Sequence, residues 1–219
     1  MKKLKCLLKD RRGTTLVELV VAMSLFSILL LLVSGALHPA AAVTQRMHTL
    51  ESAQLLLDQV LEEIRMEVER SCGYVKLYED GADPVEQEGS LEWGNAVEYL
   101  DVDGNVVLLS AEGCDEDWLT EMQEDGAQIP PGRLFFLTWT EEGTKACREP
   151  YGEAYYDGMY LKVEFSPEGE VQAGQRAEML VVTASLYRDA ERTELVRTQS
   201  RTIALRNEPR WTTEVTMAK

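Results

Sequence analysis

Apolar residues follow two different patterns in the N-terminal third of this 219-residue chain. Residues 13–37 are almost continuously apolar, and Glu18 is the one charged side chain among them. A helix rises about 1.5 Å per residue, so this segment can cross a hydrocarbon layer about 30 Å thick. From residue 47 to residue 68, apolar side chains instead recur at three- and four-residue steps between acidic ones. That pattern predicts an amphipathic helix with one stripe to bury.

We predict that both segments belong to one long helix. Gly35 and Pro39 interrupt the pattern between them, and a proline inside a helix removes one hydrogen bond and usually bends the axis. The helix is therefore expected to bend near Pro39. Its end is expected near Ser71, with Gly73 close to the stop.

After Gly73 the residue pattern changes from helical to strand-like. Short apolar or alternating runs are separated by loops rich in glycine, proline and acidic residues, which is typical of antiparallel strands. Asp103-Gly104, between two of the runs, is a strong signal for a tight hairpin. A long helix followed by such strands predicts an α+β fold, with the helix on one face of an antiparallel sheet. The predicted strands are residues 74–78, 96–101, 105–110, 134–140, 159–165, 178–187 and 195–205.

The chain is thereby divided into five parts, with a tyrosine-bearing loop at residues 147–157. The last part is expected to be a poorly packed tail. The parts are a basic N-terminal segment at 1–13, a transmembrane helix at 14–37, an amphipathic helix at 38–72, a β domain at 73–206 and the tail at 207–219.

Basic side chains precede the apolar segment and set its expected orientation. Because basic flanks stay on the cytoplasmic side, the N-terminus should lie inside and the β domain outside the cytoplasmic membrane. A secretory signal has a shorter apolar core and a small-residue cleavage site, which residues 39–42 could mimic as an alternative. The flanking basic residues are Lys2, Lys3, Lys5, Lys9, Arg11 and Arg12, against the single acid Asp10.

Glu18 is the unusual residue of the apolar segment, because a carboxylate in a membrane helix costs a few kcal/mol and needs a partner. One interpretation is that it lies shallow and reaches the lipid headgroups. The other begins with cleavage after Gly13, which creates an ammonium group at Thr14, one helical turn from Glu18. Opposite charges attract strongly in a low dielectric, and the helix dipole favours an acid in the first turn.

A basic leader ending in Gly13, a glutamate five positions later at Glu18 and an unbroken apolar helix together resemble the signal of type IV pilins and of type II secretion and competence pseudopilins. The resemblance covers residues 11–37. It implies cleavage between Gly13 and Thr14 by a prepilin peptidase, N-methylation of Thr14 and a role for Glu18 in assembly. Thr14 departs from the family, which usually has a large apolar residue there, and this weakens the inference of methylation more than that of cleavage.

The resemblance also implies partners and an architecture. The partners would be other pilin or pseudopilin subunits, a membrane assembly platform, the prepilin peptidase and, before assembly, membrane lipid. The implied architecture, a long helix on an antiparallel sheet, agrees with the pattern of elements. Chain length and the closing strand favour a larger, minor subunit of the J- or W-like kind.

The composition is strongly acidic, with a net charge of −16. Loss of the basic leader would make the chain more acidic still, so binding to nucleic acid through phosphates is not expected. The sequence contains no glycine-rich phosphate loop, no nucleophile elbow and no paired-histidine motif. We therefore expect neither an enzyme nor a cofactor.

The cysteines do not have the spacing of a zinc site. A disulfide between Cys114 and Cys147 and free thiols are both compatible with the sequence. The two histidines, His38 and His48, lie just beyond the apolar segment and are interpreted as interface or solvent-facing residues. The remaining cysteines are Cys6, which would leave with the leader, and Cys72.

One segment resembles a calcium-binding loop by spacing, with oxygen ligands at its first, third, fifth and twelfth places. Val106 occupies the sixth place, where glycine is needed, and the flanking residues predict strands. We therefore favour a hairpin, and keep calcium binding by the acidic loop at residues 112–117 as an alternative. The four candidate ligands are Asp101, Asp103, Asn105 and Glu112.

Two classes of function remain. The favoured one is a structural subunit, processed after Gly13 and assembled into a type IV pilus or a secretion or competence pseudopilus. The alternative is a singly anchored extracytoplasmic binding protein that is neither processed nor polymerised. The N-terminus of the membrane-extracted protein distinguishes them.

Overall fold

The computed structural model describes residues 15–79, 89–113, 129–140 and 145–214. It contains two compact units, Met1–Thr49 and Leu50–Lys219. Helix α1, Leu16–Val68, is 53 residues long and contributes to both. The fold is α+β, as predicted from the sequence.

Helix α1 is one long helix that runs through Gly35 and Pro39, as predicted, because the loss of one hydrogen bond at a proline does not end a helix held by its neighbouring turns. The bend at Pro39 stays a prediction. The helix differs from the prediction at its end, which is Val68 and not Ser71. Gly73 does not stop it; with φ at 69°, this glycine lies in a strand whose register shifts between Cys72 and Val75.

The strands form two sheets instead of the single sheet predicted. In the six-stranded sheet the order is β5-β4-β3-β2-β1-β9, with all pairs antiparallel except β1 with β9; the three-stranded sheet is antiparallel in the order β6-β7-β8. The bounds are β1 Ser71–Tyr78, β2 Ala96–Asp101, β3 Val106–Ser110, β4 Phe135–Trp139, β5 Lys145–Arg148, β6 Tyr160–Pro167, β7 Met179–Tyr187, β8 Leu195–Ala204 and β9 Asn207–Trp211.

The predicted hairpin is present between β2 and β3. The amide of Asp101 donates to the carbonyl oxygen of Asn105 at 2.8 Å, and Gly104 adopts a φ of 84°, which suits glycine at this turn.

Two segments that lacked predicted strands do contain them. The expected loop at 147–157 begins inside β5 and continues into a short 3₁₀ helix, Glu153–Tyr156. The expected tail begins with β9, in which Trp211 is buried and its amide donates to Gln175 at 2.9 Å. Pro209 is tolerated because β9 lies at the edge of its sheet.

The main core is built around the second half of α1. Its buried stripe joins apolar residues of both sheets in one cluster, which extends to Trp211 in β9. Met47 and Leu50, which the periodicity assigned to the same stripe, are exposed. The buried helix residues are Ala53, Leu56, Leu57, Val60, Leu61, Ile64 and Val68.

Polar contacts link α1 to strands of both sheets. Arg148 of β5 donates to Glu63 at 2.9 Å and to Glu67 at 2.6 Å. On β8, Arg201 donates to Glu62 at 2.8 Å. The acidic side of the helix is thus neutralised by arginines from two different sheets.

Candidate functional site

The predicted processing and assembly residues lie at the start of α1. Gly13 and Thr14 fall outside the described residues, so their geometry stays a prediction. Thr15 and Glu18 are described; Thr15 directly precedes the helix, and Glu18 lies in its first turn.

Thr15 and Glu18 form a reciprocal capping arrangement. Oε2 of Glu18 accepts hydrogen bonds from the amide of Thr15 at 2.9 Å and from its hydroxyl at 3.1 Å. In return, the amide of Glu18 donates to Oγ1 of Thr15 at 3.3 Å. Thr15 directly precedes the first helical residue, so this is a capping box that satisfies backbone amides at the helix start.

The sequence contained the signal for this cap, because a threonine followed three residues later by glutamate is the capping-box pattern. We had expected either the lipid headgroups or an amine as the partner of Glu18, and the cap was not predicted. The two roles are compatible, since a carboxylate has two oxygens and can accept several hydrogen bonds. The cap holds the carboxylate of Glu18 beside Thr15.

The helix that follows the cap is apolar on all sides. Leu16–Gly35 has a mean hydropathy of 2.7 and buries none of its residues in its own chain. Its large side chains, from Leu16 to Val33, are 47% to 79% exposed. Among the described residues this is the one helix segment long and apolar enough to cross a membrane.

Two hydroxyl groups of this segment, those of Ser24 and Ser27, are satisfied within the helix. Ser24 donates to the carbonyl oxygen of Val20, and Ser27 donates to that of Met23, each at 2.8 Å. Such bonds to the preceding turn allow serine to lie in lipid or in a helix bundle without an unsatisfied hydroxyl. The segment therefore presents an apolar surface to the lipid or to the helices that surround it.

Three of the four candidate calcium ligands, Asp101, Asp103 and Asn105, form hydrogen bonds within the hairpin. Oδ1 of Asp101 accepts the amides of Asp103 and Asn105 at 2.9 and 2.8 Å. Glu112 binds Arg192, with contacts of 2.6 and 2.7 Å. The described residues contain no group of three or more side chains that could hold a metal ion. Most of the acidic loop at 112–117 lies outside them.

The cysteines and histidines form no catalytic arrangement in the described part of the chain. The thiol of Cys72 donates to the carbonyl oxygen of Asp101 at 3.0 Å. Burial, and next the charge of Asp101, raise the pKa of Cys72, which opposes thiolate formation. Cys114 is not described, so its pairing with Cys147 stays a prediction. His48 is exposed, as expected, and the side chain of His38 lies outside the described set.

A buried polar cluster on β1 and β2 was not predicted. Glu98 accepts the hydroxyls of Tyr74 at 2.7 Å and Tyr78 at 2.6 Å, and Lys76 lies 4.5 Å from the ring centre of Tyr78. Burial lowers the pKa of Lys76, while the charge of Glu98 acts in the opposite direction. Lys76 and Glu98 face each other across the two strands, so the cluster fixes the register of the sheet.

Comparison with known proteins identifies the N-terminal segment. Residues 8–34 match the prokaryotic N-terminal methylation motif. The match includes Gly13, Thr14 and Glu18 and most of the apolar helix. No curated protein and no solved structure matches the chain. The match supports a prepilin-type signal, like that of type IV pilins and pseudopilins, at the N-terminal end of this chain.

Proposed function

We propose that this chain, which carries a prepilin signal of the type IV pilin and pseudopilin kind, is a minor subunit of a type IV pilus or of a secretion or competence pseudopilus. It is cleaved between Gly13 and Thr14 by a prepilin peptidase and is then assembled with other subunits. The observation that carries the proposal is the motif match at residues 8–34, on a helix whose first segment, Leu16–Gly35, is not buried by the described part of the chain.

During assembly the apolar helix then moves from the membrane into the filament, and both environments exclude water. Before assembly, residues 14–37 lie in the cytoplasmic membrane with the N-terminus inside, because the leader is basic. In the filament the same surface is covered by helices of neighbouring subunits. Because lipid and helix bundle are both apolar, packing and polar pairs decide whether the helix leaves the membrane.

Glu18 supplies the polar pair. Cleavage creates an ammonium group at Thr14, and methylation of that amine would leave its positive charge in place. The capped carboxylate of Glu18 attracts the ammonium group of its own chain or of a neighbour, and this attraction is strong in a dry bundle. Pairing with a neighbour would fix the axial position of the incoming subunit.

The acidic domain remains in solvent outside the membrane. The net charge of −16 includes the basic leader, so the processed subunit is more acidic than the precursor. Like charge keeps such domains soluble while their helices associate.

Substitution of Glu18 tests the role in assembly. Glu18→Ala should leave the amount of membrane-inserted protein unchanged and reduce incorporation into sheared filaments at least tenfold, because the ammonium group loses its partner. Glu18→Gln keeps side-chain size without charge and should show the same defect. Glu170→Ala, an exposed acid of the domain, is the matched control and should assemble normally. Equal incorporation of all four proteins would contradict the proposal.

A further inference from the structure

A pocket opens in the domain, in a part of the chain to which the prepilin signal assigns no role. It lies between residues 130–133, which precede β4, and residues 153–160, which contain the 3₁₀ helix and the start of β6. Its volume is about 150 Å³. The pocket therefore lies where the six-stranded sheet meets the three-stranded one.

The backbone of Gly132 fixes one wall of the pocket. Its amide donates to the carbonyl oxygen of Ala111, directly after β3, and its carbonyl oxygen accepts the amide of Leu161 in β6, each at 2.9 Å. Gly132 has a φ of 98°, and a Cβ atom at this position would lie 2.8 Å from Cδ1 of Tyr160. Only glycine lets the ring of Tyr160 lie this close to the backbone, so the two sheets hold this wall in place.

The apolar side of the pocket is also preformed. Tyr156 and Met159 are buried, and the hydroxyl of Tyr156 accepts the amide of Leu134 at 3.0 Å. The amide of Met159 donates to the carbonyl oxygen of Tyr156 at 2.9 Å, which closes the turn between them. Pockets that are formed before a ligand arrives are typical of small-molecule sites.

One ion pair supplies the polar side of the pocket. Arg133 and Glu153 both line it, and their side chains are joined by a contact of 2.7 Å. The side chain of Glu153 is 83% exposed and that of Arg133 is 23% exposed, so the pair lies where the pocket opens to solvent. Water at such an opening can be replaced by a ligand that makes the same hydrogen bonds.

Volume and polarity together define the ligand. A cavity of about 150 Å³ holds a single six-membered ring. The C–H groups of such a ring suit the apolar wall, since the face of a tyrosine ring is electron-rich. A ring without polar groups would displace water from Arg133 and Glu153 and offer no hydrogen bond in return, which is unfavourable. The ligand is therefore a ring that carries hydroxyl groups.

Charge excludes ionised forms of that ring. The charges of Arg133 and Glu153 cancel, so the pair offers adjacent donors and acceptors, and neighbouring hydroxyls, which both donate and accept, match it. An anionic ring would meet Glu153 and the net charge of −16 of the chain, and a cationic ring would compete with Arg133 for Glu153. We propose that the pocket binds a neutral pyranose sugar, with its ring on the apolar wall and two neighbouring hydroxyls on Arg133 and Glu153.

Saturation-transfer difference NMR on the full chain in lipid nanodiscs tests the proposal. The probes are the methyl glycosides of glucose, galactose and mannose, and we expect saturable binding of at least one of them. Methyl glucuronide, which is anionic, and tetrahydropyran, which has the ring without hydroxyl groups, should bind at least tenfold more weakly than that sugar.

Substitution of Glu153 locates the binding. Glu153→Ala should weaken binding of the neutral sugar at least tenfold and strengthen binding of methyl glucuronide, because Arg133 then lacks its partner. Glu149→Ala removes an exposed acid that does not line the pocket, changes the net charge equally and should bind like the wild type.

Three results would overturn the proposal: no saturable binding of any of the three neutral sugars, binding of tetrahydropyran or methyl glucuronide as tight as that of the sugar, or unchanged binding by Glu153→Ala. Since Glu153 is largely exposed, its replacement leaves the fold intact. The uncleaved chain is used, so the result does not depend on the function proposed above.

Discussion

Residues 16–35 and residues 53–68 belong to one helix, but they bury their apolar side chains in different ways. The first segment leaves all of its large side chains exposed, whereas the second buries a stripe of seven residues in the core of its domain. Acidic residues occupy four of the nine remaining positions of the second segment, and the first has Glu18 as its one charged residue. Both segments are α-helical.

Periodicity, and not hydrophobicity alone, determines what buries the apolar side chains of a helix. A helix with one apolar stripe can be covered by its own domain. A helix that is apolar on all sides needs a surrounding apolar medium, which is lipid or a bundle of other helices. Each half of α1 therefore predicts a different response to mutation.

The largest expected contrast comes from removing apolar volume. Leu61→Ala removes a fully buried side chain from the second half and should lower the free energy of unfolding of the domain by about 2–5 kcal/mol. Leu25→Ala in the first half, where the side chain is 62% exposed, should leave the same quantity almost unchanged. Urea unfolding in detergent checks both. Equal destabilisation by the two variants would contradict the difference in burial between the two segments.

Introducing a charge should instead affect the first segment more than the second. Leu25→Arg places a cation within the apolar segment, at a cost of about 3 kcal/mol for insertion into a membrane, and should reduce the membrane-bound fraction. Met66→Arg lies on the exposed side of the second half and should leave that fraction unchanged. Carbonate extraction of membranes measures both. Retention of Leu25→Arg at the wild-type level would show that this segment is not in lipid.

A smaller effect is expected from the ion pairs of the second half. Arg148→Ala removes the contacts to Glu63 and Glu67 and the guanidinium group that lies 4.5 Å from the ring centre of Phe136. Since Arg148 is about half exposed, the free energy of unfolding should fall by about 1 kcal/mol or less. Arg188→Ala, which breaks an exposed pair with Glu194 away from α1, is the control and should have less effect. A loss as large as that of Leu61→Ala would mean that charge, not apolar burial, anchors the helix.

The smallest effect concerns pH. Hydrogen bonds from Arg65, and then from Arg201, hold the pKa of Glu62 below its usual value of 4.5. A carboxyl group with a lowered pKa stabilises the fold above its unfolded pKa and loses that contribution as the pH falls through the folded value. Glu62→Gln should therefore be less stable than the wild type at neutral pH, with the difference shrinking below about pH 4.5. Thermal unfolding at several pH values measures it, and a difference that grows in acid would contradict the assignment.

Much of the fold could be predicted from the sequence because strong local patterns specify it. The three- and four-residue spacing identified the buried stripe that contains Leu57, Leu61 and Ile64, and Asp103-Gly104 identified the hairpin. Strand β9 could not be predicted in this way. It is short and polar and contains Pro209, and its place depends on pairing with the distant strand β1.

The candidate site, like the fold, could be predicted from the sequence only in part. The apolar helix and Glu18 could be identified by composition and spacing, and the motif match at residues 8–34 agrees with them. The cap on Glu18 was not predicted, because a carboxylate in an apolar segment suggested an amine or a lipid headgroup as its partner. The cluster of Lys76 and Glu98 could not be predicted, since charged side chains usually indicate solvent and only the register of β1 with β2 brings these two together.

Mass spectrometry of the intact protein extracted from membranes tests directly whether the chain is processed after Gly13. We expect a mature chain that begins at Thr14, with or without one added methyl group, and an uncleaved chain when the prepilin peptidase gene is deleted. A native chain that keeps Met1 or Lys2 at its N-terminus in the presence of the peptidase would contradict it.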